Sequence, residues 1–126
     1  MATLNKINLA EKLASVSEHW SPKIIAELNG QHVKVAKLLG SFDWHFHEQE
    51  DELFWVISGQ LQMHIRDDAG EQMIEIGPGE LFTVPRGLWH RPIAESEVEL
   101  VLFEPATTLN TGNIENDRTQ HDLKRI

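Results

Sequence analysis

From residue 23 onward, the chain alternates between short apolar runs and turn-forming residues. The runs lie at residues 24–28, 32–39, 53–57, 61–65, 73–76, 81–84 and 98–103. Glycine, proline, asparagine and aspartate occupy most of the gaps between them. Many short strands at near-regular spacing favour an antiparallel β-sandwich or β-barrel. The expected fold class is therefore all-β.

The gap between the first two runs consists of Asn29 and Gly30. Asn-Gly is a favoured sequence for the two-residue type I′ turn, because both turn positions adopt a positive φ. The turn predicts that residues 24–39 form a β-hairpin.

A helix is expected before the first strand. Apolar residues recur there at helical spacing, at Leu9, Leu13, Val16 and Trp20. Asn8 is a candidate N-cap with Glu11 three residues later. The helix should end at Ser21, because Pro22 pushes the preceding residue out of the α region. We expect this helix to cover an open end or an edge of the sheet.

The length of 126 residues fits one domain with a hydrophobic core and is too short for two. We expect an N-terminal helical segment at residues 1–22, a barrel at 23–105 and a polar tail at 106–126. The tail shows no clear periodicity. It could be a free tail, a partly helical end or a segment draped over the barrel.

Charge and composition restrict the partners. The net charge of −9 repels phosphate backbones and anionic lipids, so we expect neither nucleic acid nor a membrane as partner. No apolar run approaches the roughly 20 residues of a membrane span. The N-terminus lacks the basic-then-apolar order of a signal peptide, which makes a cytoplasmic location the expectation. The absence of cysteine excludes disulfides and thiolate ligands.

Two histidines, His45 and His47, precede an acid-rich turn that ends at Glu52. Because side chains alternate along a strand, both imidazoles lie on one face and can point at one metal about 2.0–2.1 Å away. Glu52 opens the next apolar run, where its carboxylate could supply an oxygen ligand. His90 follows the turn at residues 85–87, and a hairpin of this size returns it to the first pair.

Three imidazoles and one carboxylate form a borderline ligand set. Such a set suits one divalent transition metal, which could be Fe, Mn, Ni, Co, Cu or Zn. Four protein ligands leave positions of the metal open for water or a substrate. Ligand type does not choose among these metals.

The same residues follow two motifs of the cupin superfamily. From His45 to Gly59 the chain fits H-x-H-x3–4-E-x6-G, although Gly40 lies one residue closer to His45 than the full motif has it. The stretch from Gly79 to His90 fits G-x5-P-x-G-x2-H, with Ala94 where asparagine is common. Residues 23–104 thus resemble a small single-domain cupin, a type often labelled mannose-6-phosphate isomerase-like.

The resemblance implies a small antiparallel β-barrel of the jelly-roll type. It also implies His45, His47, Glu52 and His90 as the metal ligands. Asp51 is the competitor of Glu52, because the family tolerates either spacing, but residue type and the distance from Gly59 favour Glu52. Cupins are frequently dimers, so we expect a homodimer. Trp44, Phe46 and Trp55 should point away from the metal and into the interface.

The resemblance does not imply one activity. One hypothesis is a metalloenzyme acting on a small molecule as an isomerase, dioxygenase or lyase, with the metal as Lewis acid or O₂ site. The alternative is a non-catalytic module that binds a metal or a small ligand. A small carboxylate or hydroxy acid is the expected guest.

Two further side chains are candidates for catalysis by proton transfer. Glu48 lies in the acid-rich turn beside the histidine pair. His64 would line the barrel if Leu61, Met63 and Ile65 faced outward. His19, His32 and His121 lie outside the motifs and are expected on the surface.

Overall fold

The computed structural model describes residues 4–126, which contain one short helix and seven strands. The elements are α1 (Leu9–Ala14), β1 (Lys23–Leu28), β2 (Gln31–Ser41), β3 (Glu52–Ser58), β4 (Leu61–Asp67), β5 (Gly70–Ile76), β6 (Leu81–Val84) and β7 (Trp89–Pro105). Residues 1–3 of the expected helical segment lie outside this described part. Among residues 4–126, no helix has the length and apolar character required to cross a membrane.

Strand β7 organises the sheet, because it pairs with three other strands. Its residues 93–105 pair with β2, residues 99–103 also pair with β3 on the other edge, and residues 89–93 pair with β4. β1 extends the sheet beyond β2, β6 beyond β3, and β5 beyond β4. All pairs are antiparallel. The result is a small antiparallel barrel of jelly-roll type, as expected from the sequence.

The predicted hairpin is present. Strands β1 and β2 pair from Leu28 and Gln31 outward, and only Asn29 and Gly30 connect them. Both turn residues have positive φ, at 48° for Asn29 and 77° for Gly30. These angles are the ones a type I′ turn requires.

Helix α1 begins as predicted but ends early. The Asn8 side chain accepts a hydrogen bond from the backbone N–H of Glu11 at 2.9 Å, which identifies it as the N-cap. The helix stops at Ala14, whereas the apolar periodicity continues to Trp20. Leu13 and Val16 are buried against Val35 of β2 and Val101 of β7. The N-terminal segment therefore covers the outside of the sheet.

The prediction that Trp20 continues the helix was wrong. Its φ is +58°, and its indole N–H donates to the carbonyl of Leu39 at 2.8 Å. The indole stacks on Phe42 with ring centroids 4.9 Å apart. These long-range contacts fix a backbone conformation that a helix cannot contain.

The hydrophobic core lies inside the barrel, where alternate residues of each strand meet. Strand β4 shows the alternation clearly, since Leu61, Met63 and Ile65 are buried and the residues between them are half-buried. Val56 of β3 and Leu100 of β7 are fully buried in the same cluster.

The C-terminal segment after β7 has turns but no further helix or strand. Thr108 and Thr111 are buried against the barrel. The segment then returns to β1, where Ile24 donates a backbone hydrogen bond to Lys124 at 2.9 Å. Of the three alternatives for residues 106–126, the described structure corresponds to the segment draped over the barrel.

Candidate metal centre

His45 and His90 face each other across an isolated antiparallel bridge. The N–H of His45 donates to the carbonyl of His90 at 3.1 Å, and the reverse bond measures 2.8 Å. Each ring also has its Nδ1 beside a backbone carbonyl, at 2.8 Å from Asp43 and 2.9 Å from Leu88. A neutral imidazole that donates through Nδ1 keeps the lone pair of Nε2 free. Both rings are thus oriented to offer Nε2 as a ligand.

Glu52, the first residue of β3, lies between His47 and His90. Its Oε1 is 3.3 Å from Nε2 of His47 and 3.4 Å from Nε2 of His90. One potential ligand atom from each of His45, His47, Glu52 and His90 lies within 4.8 Å of the others. All four side chains are buried. The structure brings together the four residues that the sequence motifs singled out.

Several of these buried atoms lack a partner. Nδ1 and Nε2 of His47, Oε1 of Glu52 and Nε2 of His90 make no hydrogen bond with any residue in the described part of the chain. Buried polar atoms in proteins are almost always satisfied, and orphaned ones need an explanation. Three of these atoms, Nε2 of His47, Oε1 of Glu52 and Nε2 of His90, lie close together, which fits a metal ion as the missing partner. Three nitrogens and one carboxylate oxygen suit a divalent transition metal.

Electrostatics favour the metal-binding forms of these side chains. Burial, followed by the charge of His90, lowers the pKa of His45 to about 4. Burial alone would raise the pKa of Glu52, but the close contacts with His47 and His90 outweigh it and hold that pKa well below its usual value. At neutral pH, His45 is therefore neutral and Glu52 ionised, which are the forms that bind a metal.

The low pKa of His45 predicts an acid-dependent loss of stability in the metal-free protein. The folded state disfavours protonation of His45, whereas the unfolded chain binds the proton at its ordinary pKa of 6.5. The free energy of unfolding is therefore unaffected above that pH and decreases as the pH falls from 6.5 towards 4. A shift from 6.5 to about 4 corresponds to roughly 3 kcal/mol in the free energy of unfolding. Urea unfolding of the wild type and of His45→Asn across this range measures it. Parallel curves for the two proteins would contradict the assignment.

A small cavity of about 40 Å³ opens beside the cluster. Its lining is mostly apolar, with side chains that include Trp20, Ala36, Leu38, Phe42, Phe54 and Leu100. His45 and Glu52 form part of the same wall. Space next to the open side of a metal site is what a small guest requires.

Two charged residues that sequence reasoning missed also line this cavity. Lys34 of β2 and Glu104 of β7 form a salt bridge of 2.7 Å, and each side chain is only 2% exposed. Burial and the negative charge of Glu52 raise the pKa of Glu104 well above its usual value. The signal available in the sequence was a charge within or directly after an apolar run. Only the register of β2 against β7 shows that both residues face inward.

The two candidate acid–base residues, Glu48 and His64, do not line this cavity. Glu48 is exposed on the loop that follows His47. His64 does not line the barrel, because Leu61, Met63 and Ile65 occupy the inner face of β4 and leave His64 on the outer one. The condition on which His64 was proposed is therefore not met.

Two other expectations are decided by hydrogen bonds and burial. Asp51, the competitor of Glu52, is exposed and accepts a hydrogen bond from the backbone N–H of Arg86 at 2.9 Å. It therefore supports the loop. His32 was expected on the surface but is buried, with its Nε2 3.4 Å from Glu27.

The C-terminal segment holds the backbone between His45 and His47 in place. Asn113 donates its backbone N–H to the carbonyl of Phe46 at 3.0 Å and accepts from the Phe46 N–H through its side chain at 2.8 Å. Gly112 has a φ of +58°, and a Cβ at this position would collide with the Phe46 carbonyl and approach the His45 ring to 3.0 Å. Phe46 lies between the two histidines, so this contact positions both.

Replacing Gly112 by alanine should disturb the metal centre. The collision with backbone forces the C-terminal segment away from Phe46, and the positive φ adds strain, at a combined cost of about 1–3 kcal/mol. Thermal unfolding and a metal titration measure the two effects. Gly79→Ala is the matched control, because Gly79 has a φ of +81° but nothing within 4 Å of its Cβ position. Equal effects of both variants on metal affinity would contradict the prediction.

Comparisons with known proteins agree with this geometry. Residues 31–105 match the family model described as Cupin domain. Uncharacterized protein YdbB of Bacillus subtilis is 31% identical over 84 residues, which cover 67% of this chain and 72% of that protein. Acireductone dioxygenase 1 of Coprinopsis cinerea is 37% identical over 57 residues, which cover 44% of this chain and 32% of that enzyme.

Among solved structures, a cupin-2 domain containing protein from Shewanella frigidimarina has 39% sequence identity and a TM-score of 0.74. The superposition covers 79% of this chain and 93% of that one. The family match spans most of the barrel and contains the four clustered residues from His45 to His90. The chain is therefore a small member of the cupin superfamily.

Proposed function

We propose that this cupin is a metal-dependent protein acting on a small molecule, with one divalent transition metal held by His45, His47, Glu52 and His90. The observation that carries the proposal is the set of buried, partnerless ligand atoms that converge beside a cavity. A bound metal would supply a Lewis acid for a hydroxyl, keto or carboxylate group, or a site for O₂.

The residues of this chain supply orientation and exclusion of solvent. The carbonyls of Asp43 and Leu88 fix the rings of His45 and His90. The apolar lining of the cavity limits the guest to a few heavy atoms. A small hydroxy or keto acid fits these limits, because two of its oxygens can chelate one cation. Glu48, which lines a separate surface pocket together with His47, remains our candidate for moving a proton.

Catalysis is favoured over a purely structural metal site by the second set of polar groups. Lys34 and Glu104 line the cavity beside the ligands, as expected of a site that orients a reacting molecule. Among isomerase, lyase and dioxygenase reactions, the partial likeness to an acireductone dioxygenase supports the last. The second candidate is a non-catalytic module that binds a metal or small ligand, supported by the exposed position of Glu48 and the outward position of His64.

The test begins with metal analysis of protein prepared without an affinity tag. The metal-loaded protein is then titrated with small hydroxy and keto acids, and turnover is followed under air and under argon. Turnover that needs air supports the dioxygenase reaction, and turnover under both atmospheres supports an isomerase or lyase. Binding without turnover favours the non-catalytic module. A protein that takes up no transition metal would refute the metal-dependent function.

We also propose that the protein is a homodimer located in the cytoplasm. Trp55 is 41% exposed, and Trp44 and Phe46 are half-buried on the side away from the cluster. Arg66 stacks on Trp44 at 4.7 Å and leaves part of this aromatic surface open. Light scattering at micromolar concentration should give twice the chain mass of 14.4 kDa. A sharp monomer mass would contradict the dimer.

A further inference from the structure

The buried pair of Lys34 and Glu104 lies beside Glu52 in the interior of the barrel. Removing two charges from water costs several kcal/mol per ion, and apolar residues of similar size often stabilise a core equally well or better. The surroundings of the pair are mostly apolar, with Ala36, Leu100 and Leu102 on the same cavity wall, but Glu52 lies beside Glu104. A buried ion pair at this place is therefore more readily explained by a ligand than by stability.

The pair lies in the cavity that also contains the metal centre. Lys34 and Glu104 share its wall with Glu52 and His45. The pair thus forms a second polar site in the same cavity. A small molecule held at the four clustered ligands would extend towards it.

One atom of the pair is left without a partner. Lys34 Nζ donates to Oε1 of Glu104 at 2.7 Å. Oε2 of Glu104 receives no hydrogen bond from any residue between 4 and 126, and its carboxyl lies beside that of Glu52. The Glu104 side chain is only 2% exposed. A buried carboxyl oxygen without a partner is costly, so it indicates that a polar atom of a ligand belongs beside it.

The charges of this second polar site define which chemical group of a guest it can bind. Lys34 and Glu104 neutralise each other, and Glu52 adds a negative charge nearby. A second carboxylate of a guest would be attracted by Lys34 but repelled by the ionised Glu52. A hydroxyl group carries no charge and both donates and accepts. It can therefore bond Oε2 of Glu104 in either protonation state of that carboxyl and also accept from Lys34.

We propose that Lys34 and Glu104 form a hydroxyl-binding subsite, and that the guest of this cupin carries a neutral hydroxyl at the end remote from the metal. This inference rests on the proposed function, since it assumes that the opposite end of the guest binds the metal. It narrows the substrate class to small hydroxy acids or keto acids with a further hydroxyl. It also makes the two residues determinants of specificity.

Three acids that differ in one group test the subsite. Lactate, glycerate and tartronate share a carboxylate with an α-hydroxyl and end in a methyl, a hydroxymethyl and a second carboxylate, respectively. Calorimetric titration of the Co(II)-loaded protein measures their affinities, and the visible spectrum of Co(II) reports chelation independently of turnover. We expect glycerate to bind about tenfold or more tightly than lactate, and tartronate more weakly than glycerate. Equal affinity for glycerate and lactate would overturn the inference.

The variant that isolates the pair is Lys34→Met combined with Glu104→Leu. Replacing both charges by apolar residues of similar size preserves folding better than removing one of them. We expect this variant to bind Co(II) and lactate like the wild type and to lose its preference for glycerate. The control is Arg125→Met with Glu27→Leu, which removes a surface pair of 2.8 Å and should leave all affinities unchanged.

The outcomes separate this inference from the proposed function. If lactate and the other acids leave the Co(II) spectrum unchanged, chelation at the metal fails and the subsite fails with it. If lactate chelates but glycerate gains nothing, only the subsite is refuted. A double variant that retains the glycerate preference also refutes it. A double variant that no longer takes up Co(II) contradicts it too, because the pair would then position Glu52 for metal binding rather than bind the guest.

Discussion

Replacing His47 by alanine is expected to lower the affinity for a divalent transition metal by more than about 100-fold. Mutation of groups that merely support a ligand costs 10–100-fold, and loss of a ligand itself should exceed that range. Nε2 of His47 lies 3.3 Å from Glu52 and has no other polar partner in the described chain. Metal content by mass spectrometry and a competition titration with a chelator measure the effect.

The same change should leave the metal-free fold intact. The main core cluster is built from apolar residues such as Val56, Leu61 and Leu100, and it does not include His47. A 100-fold loss of affinity removes up to about 2.7 kcal/mol of the stabilisation that saturating metal gives to the wild type. The thermal shift on adding metal should therefore shrink, while the melting temperature without metal changes little.

His121→Ala is the matched control for the metal-binding prediction. It deletes the same imidazole from an exposed position, where the ring contacts only Glu115 among the ion pairs of residues 4–126. Metal content of this variant should equal that of the wild type. Equal losses in the two variants, or normal metal content in His47→Ala, would remove His47 from the ligand set.

Breaking the buried pair on one side is expected to destabilise the folded protein strongly. Lys34→Met leaves the carboxyl group of Glu104 in an apolar interior without its 2.7 Å partner. Removal of one member of a buried pair costs about 3–5 kcal/mol. Such a loss is a large part of the 5–15 kcal/mol that stabilises a typical domain. Equilibrium unfolding in urea at pH 7 measures it.

The raised pKa of Glu104 allows a sharper comparison. The unpaired carboxyl can become neutral by binding a proton, because burial and Glu52 already raise its pKa. The penalty in Lys34→Met should therefore be smaller at pH 5 than at pH 8. Combining Lys34→Met with Glu104→Leu should restore most of the lost stability. A single variant as stable as the wild type at both pH values would show that the pair is not coupled in the folded protein.

Local sequence signals predicted the elements whose causes are local. The Asn29–Gly30 turn, the N-cap at Asn8 and the runs that became β3, β4 and β6 depend on residues that are neighbours in the chain. Turn geometry and strand alternation follow from backbone sterics, so a few residues suffice to specify them. The motif spacing likewise singled out the four residues that the structure places within 4.8 Å of one another.

Other features depended on contacts between distant segments. The helix ends at Ala14, and Trp20 leaves the helical pattern to pack on Phe42, more than twenty residues away, and to donate to Leu39. His64 faces outward because Leu61 and its alternate neighbours fill the core. A period of two does not say which face of a strand is inside, so this choice is made by the whole barrel.

The sequence by itself determined β3, β4, β6, the Asn29–Gly30 turn and the set of candidate metal ligands, since each depends on spacing along the chain. Only the tertiary structure decided that β7 begins at Trp89, that residues 106–126 support Phe46 through Asn113 and that Lys34 meets Glu104 inside the cavity. The two charged residues are 70 positions apart. They meet because β2 and β7 pair in one register, and that register is selected by the burial of apolar side chains along both strands.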